Sequence, residues 1–177
     1  IRRAMYVYGD PVHAIVSLYR RGYIFEQFEK VPLSPLSLEE ARERWPTLKE
    51  YAAAGDPLGL IDHVADWERA ACEPGSPPTI FVDSRLLRGD RNVQSIVDFF
   101  SQDGPTQVPS LDHSNFDERL SFESAPRYKI YTRNPEKTLN ITKEELQHSV
   151  KLLEETYKPL RDKLVSFKGI HGLNCKK

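Results

Sequence analysis

The chain has 177 residues, of which 39% are hydrophobic and 29% charged, with 25 Lys and Arg set against 26 Asp and Glu. This balance predicts one soluble globular domain and excludes the strongly basic surface that nonspecific nucleic-acid binding requires. No run approaches the roughly 18 apolar residues that span a bilayer, no charged-then-apolar leader is visible, and two cysteines, Cys72 and Cys175, are too few for a disulfide scaffold or a Cys-rich zinc site. They could pair, but the default expectation is two unlinked thiols.

The first predicted unit is strand, turn and helix. Residues 5–8 form a short apolar, β-prone run suited to a buried parallel strand, and Gly9 breaks it. Asp10 and Pro11 then open a helix, the one as an acceptor for free N–H groups, the other as a residue with no N–H to satisfy. Val12, Ile15, Val16 and Tyr19 share one helical face, while Arg20, Arg21 and Gly22 suit its C-terminal end.

After a proline-marked turn at Pro32 and Pro35, Ser37 and Glu40 have the spacing of a capping box and predict a helix to about Trp45. Pro46 is expected to restart it, with Leu48 and Tyr51 on one face and an end near Gly55. Asp56 and Pro57 repeat the Asp-Pro opening, followed by a stripe of Leu60, Ile61, Val64, Trp67 and Ala71. Residues 79–83 predict a second buried strand. A helix then follows, capped by Asp90 or Asn92, with Val93, Ile96, Val97 and Phe100 expected to point inward.

Residues 105–135 read as an irregular surface segment, rich in proline, serine and aspartate. Thr142 and Glu145 form another capping box. The helix it opens carries Leu146, Val150, Leu153, Tyr157, Leu160, Leu164 and Phe167 at helical spacing, and Pro159 is expected to kink or divide it. Asn140, Ile141 and Thr142 make an acceptor sequon for glycosylation, relevant if the chain enters the secretory pathway. The five histidines, His13, His63, His113, His148 and His171, show no metal-ligand spacing with a carboxylate or Cys. Asp62, Asp66 and Glu68 read as a charged outer helix face.

Two blocks of this pattern resemble the sulfotransferases. In that family a strand of the type V-Y-V-x-R-x-P-x-D-x-x-x-S runs into a helix, and its Arg and Ser hold the 3′-phosphate of the donor 3′-phosphoadenosine-5′-phosphosulfate. The matching positions here are Gly9 and Ser17. The hydroxyl is kept, but glycine cannot make the charge-assisted phosphate contact of an arginine. The resemblance extends over Trp67, the stretch at 80–87 and the helix at 93–100, which follow in the family's order and spacing. A basic loop completes the phosphate grip in that family, and Arg127, Lys129 and Arg133 are the candidates for it here, without its Gly-containing pattern.

The resemblance implies an α/β fold with an incomplete parallel sheet in three layers, helix-rich and closed by a C-terminal amphipathic helix. It divides the chain into a partial sulfotransferase-like core at 1–104, the irregular segment at 105–135 and the helix and tail at 136–177. Sulfuryl transfer also needs a Gly-rich anion cradle and a His or Glu base, which the family carries upstream of the Arg-to-Ser segment. Neither occurs in these residues. The expectation is therefore a sulfotransferase-derived, non-catalytic accessory subunit with no cofactor, whose open sheet edge is covered by other protein chains. The alternative is the C-terminal part of an active sulfotransferase using that donor, with its cradle and base upstream of Ile1. An unrelated α/β binding domain is the third reading.

Overall fold

The computed structural model describes residues 2–30, 36–88, 90–101, 139–167 and 170–172, with the backbone alone at 88, 90–92 and 170–172. Its first elements are β1 (Ala4–Tyr8), α1 (Pro11–Arg21), α2 (Ile24–Lys30), α3 (Leu38–Arg44), α4 (Leu48–Ala53) and α5 (Leu60–Ala71). There follow β2 (Thr79–Asp83), a 3-10 turn (Ser84–Arg88), α6 (Asp90–Ser101), α7 (Lys143–Ser166) and β3 (Ile170–Gly172). They belong to two compact units. One takes the described parts of 1–9, 65–125 and 162–177, the other those of 10–64 and 126–161.

The first unit holds the sheet. β2 lies between the other two strands, parallel to β1 in the register Met5 to Ile80, Tyr6 to Phe81 and Val7 to Val82, and antiparallel to β3 with Phe81 opposite His171. The fold is α/β and rich in helix, but its sheet is mixed, and only one of the two predicted strands is fully buried. All five residues of β2 are buried, whereas Val7 of β1 is 42% exposed. A central strand has neighbours on both sides; among the described strands β1 is at the edge.

Alternation along the strands assigns side chains to opposite faces. On one face the Tyr6 ring lies 5.3 Å from Trp67 and 5.3 Å from Phe81, and Phe167 lies 5.4 Å from Phe81 and 5.9 Å from Tyr8. Burial there pushes the Tyr6 phenol up to about 12. On the other face Met5, Ile80 and Val82 pack with Leu86 of the 3-10 turn and with Ile96 and Phe99 of α6. The Arg3 guanidinium covers Phe99 at 5.0 Å.

The apolar arc of α6 is wider than the surface it covers. At about 100° per residue, Phe99, Ile96, Phe100, Val93 and Val97 spread over roughly 160°. Ile96 and Phe99, on one half of the arc, are buried, while Val93, Val97 and Phe100, on the other half, are 41%, 48% and 45% exposed. The expectation that all of Val93, Ile96, Val97 and Phe100 point inward is therefore corrected for three of them. Gln94 and Asp98, bonded at 2.8 Å, mark the polar side.

The second unit is helical. Capping boxes open α3 (Ser37 with Glu40) and α4 (Thr47 with Glu50), so the second of these helices restarts from Thr47 and not from Pro46. Asp56 caps α5 by accepting from the N–H groups of Leu60 (3.0 Å) and Ile61 (2.9 Å), with Pro57 left in the turn before the helix. Tyr19 donates to the carbonyl of Trp45 at 2.8 Å, and Trp45 stacks on Phe28 at 5.4 Å. From α7 this unit takes Leu146, Val150, Leu153, Tyr157 and Leu160, all buried as their spacing predicts. Pro159 does not divide that helix, which runs for 24 residues. The proline and Glu155, whose carbonyl it leaves without its helical donor, are both exposed.

Candidate functional site

The start of α1 lies between Gly9 and Ser17, the two positions that the resemblance matches to phosphate contacts, and Asp10 caps it as its sequence predicts. Asp10 accepts from the N–H of Val12 at 2.9 Å and of His13 at 3.4 Å, which satisfies the helix start from within the chain. Its other oxygen meets Nη2 of Arg161, from α7, at 3.2 Å, and the carboxylate is only 7% exposed. Arg161 is a residue that sequence reasoning missed. It lies far from Asp10 along the chain and sits between two apolar members of the α7 stripe, so no local pattern announces it.

Ser17 lies in the second turn of α1 and is half-buried. Gly9 belongs to the first unit, directly after β1. A Cβ placed there would lie 3.2 Å from Oγ of Ser84, an exposed and rotatable side chain. A Cβ at position 9 thus needs no more than a turn of the Ser84 side chain. Arg127, Lys129 and Arg133 lie outside the described residues.

These features oppose a phosphate at this helix start. An anion there would stand against a buried carboxylate, and two unit charges at 4 Å repel by about 4 kcal/mol at an effective dielectric of 20. Arg161 offsets part of that, yet it is already committed to Asp10. The site's chemistry is that of an internally neutralised helix cap.

Two further polar clusters are ordered without pointing to catalysis. At the end of β2, Asp83 is 2% exposed and accepts from Nε of Arg85 at 2.9 and 3.0 Å, from its Nη2, and from the Arg85 backbone N–H at 2.9 Å. In the second unit the Tyr157 hydroxyl donates to Oδ1 of Asp56 at 2.6 Å and lies 3.1 Å from the Tyr51 hydroxyl. Burial, reinforced by the Glu50 carboxylate at Tyr19 and the Asp56 carboxylate at Tyr51 and Tyr157, pushes these three phenols well above the ordinary tyrosine value. They stay protonated and act as hydrogen-bonding core residues.

Among the described residues, no three His, Cys, Asp or Glu side chains group as a metal site. No helix among them is long and apolar enough to cross a membrane. Cys72 is disulfide-bonded, which corrects the expectation of unlinked thiols; the sequence holds one other cysteine, Cys175, outside the described residues. Compared with known proteins, the chain matches no family model, no curated protein and no solved structure.

Proposed function

We propose that the chain is a sulfotransferase-derived, non-catalytic structural subunit that docks on another protein chain through the exposed half of α6. The observation that carries this reading is the Val93, Val97 and Phe100 stripe, three large apolar residues on one helical face and each more than 40% exposed. Contiguous apolar surface of that kind marks interaction sites, where scattered single residues would not. Val7 adds to it. By alternation it shares the sheet face that α6 packs on, and it stays exposed at the outer strand β1. Among the described residues no strand pairs with the outer side of β1. A partner chain covering this edge and the α6 stripe gives the sheet the two-sided shielding that α/β sheets require.

The non-catalytic half of the reading rests on Gly9 and Asp10. One supplies no cation where the resembling family has arginine, and the other fills the helix start with a carboxylate. Loss of one charge-assisted phosphate contact weakens binding by about 1.5–3 kcal/mol, and the carboxylate adds to that. Calorimetric titration of the chain with 3′-phosphoadenosine-5′-phosphosulfate is expected to show no saturable binding. Micromolar affinity would instead favour the C-terminal part of an active sulfotransferase.

Docking is tested separately by native mass measurement on the protein from its own source. The wild-type chain is expected in an assembly heavier than one copy, and Val97→Asp is expected to release it. Because Val97 is exposed, that change should leave the unfolding free energy within about 0.5 kcal/mol of wild type. A wild-type chain that runs alone overturns the subunit reading.

A further inference from the structure

We infer that Asn140 is an N-glycan acceptor and that the chain matures in an oxidising, secretory compartment. Three observations, two at Asn140 and one at Cys72, converge on this. Asn140, Ile141 and Thr142 form the chain's only Asn-X-Ser/Thr sequence, and X is not proline. Asn140 is exposed in the turn before α7, with φ at +53°, a left-handed conformation that asparagine tolerates better than most residues and that carries its side chain on a sharp surface turn. Cys72, in contrast to the reduced thiols of cytosolic proteins, is held in a disulfide. Sequon and exposure supply the acceptor, and the disulfide supplies the compartment in which acceptors of this type are modified.

The local structure also sets an order of events. In the folded chain the Thr142 hydroxyl accepts from the Glu145 N–H at 3.1 Å, and the Glu145 carboxylate accepts from the Thr142 N–H at 3.0 Å. Those backbone bonds, helped by the Lys49 ammonium, hold the Glu145 carboxyl below the usual range and tie the sequon's hydroxyl into the helix cap. Transfer of the glycan is therefore expected before α7 is capped, while the turn is still open. Once α7 has formed, the glycan on Asn140 projects from the exposed turn and leaves the buried stripe of that helix untouched.

The test uses the full chain purified from its own source. Tryptic digestion yields a short peptide spanning residues 138–143, and enzymatic release of an N-glycan in water enriched in the heavy oxygen isotope converts its Asn140 to an Asp marked by the oxygen taken up. The expected result is that marked peptide in most molecules, together with Cys72 that resists alkylation until a reductant is added. An unmodified peptide overturns the assignment of Asn140, even where Cys72 is oxidised. Cys72 that alkylates freely in the native protein overturns the compartment. As a second measurement, Thr142→Ser keeps both the sequon and a capping hydroxyl and should retain the mark, whereas Thr142→Ala, expressed through the same compartment, should lose it.

Discussion

Replacing Arg85 by Met is expected to destabilise the protein by about 3–5 kcal/mol, a large part of the 5–15 kcal/mol that holds an ordinary domain together. The reason is Asp83. Its carboxylate is 2% exposed at the end of the central strand and is met by the guanidinium through Nε and Nη2. Removing the guanidinium leaves a buried charge with only the backbone N–H of residue 85 among the described bonds to it. Burying an uncompensated charge costs more than the intact pair contributes, so Asp83→Leu combined with Arg85→Met should recover most of the loss. In urea unfolding the single variant should lower the midpoint by about 1.5–2.5 M, taking a slope of about 2 kcal/mol per M. A shift below about 0.5 M would mean that the carboxylate is solvated in the native state, contrary to its burial.

The same residues show what sequence can and cannot disclose. β2 is readable because Ile80, Phe81 and Val82 form an unbroken apolar, β-prone run after Thr79, and the α7 stripe is readable because seven apolar residues keep helical spacing over six turns. Caps are readable too: Asp10, Ser37 and Thr142 act within a few residues of the N–H groups they satisfy. Pairings across the chain are not. Arg161 on Asp10 and Tyr157 on Asp56 join positions about a hundred or more residues apart, and nothing local selects one arginine or tyrosine over the others. β3 has three residues, too few for a period-two pattern to show. α6 is the instructive case, because periodicity locates its whole apolar arc but carries no record of which half the sheet covers. The missing cation at Gly9 is legible, whereas the carboxylate that takes its place at the helix start is legible only as a cap.

Alkaline unfolding should be unusually steep, and the Tyr51, Tyr157 and Asp56 chain is why. Tyr19, Tyr51 and Tyr157 hold their protons far above the value of about 10 that a tyrosine has in the unfolded chain. Below pH 10 both states are protonated and the contribution to stability is complete. Above it the unfolded chain releases protons that the folded chain keeps, so stability falls as pH rises, by about 1.4 kcal/mol per pH unit for each such phenol. Three of them in one unit set a slope of up to about 4 kcal/mol per pH unit, and phenolate absorbance should appear together with loss of helix, not before it. Tyr157→Phe separates the hydrogen bonds from the titration. At pH 7 it should cost about 1.5–3 kcal/mol, because the 2.6 Å bond to the Asp56 carboxylate is lost and the Tyr51 hydroxyl loses its neighbour at 3.1 Å. Above pH 10 the variant should lose stability less steeply than wild type, by one phenol's share. If Tyr157→Phe leaves the slope unchanged, or if phenolate forms fully while the helices persist, the hydroxyls are open to solvent and the cluster is not the sealed core that its geometry describes.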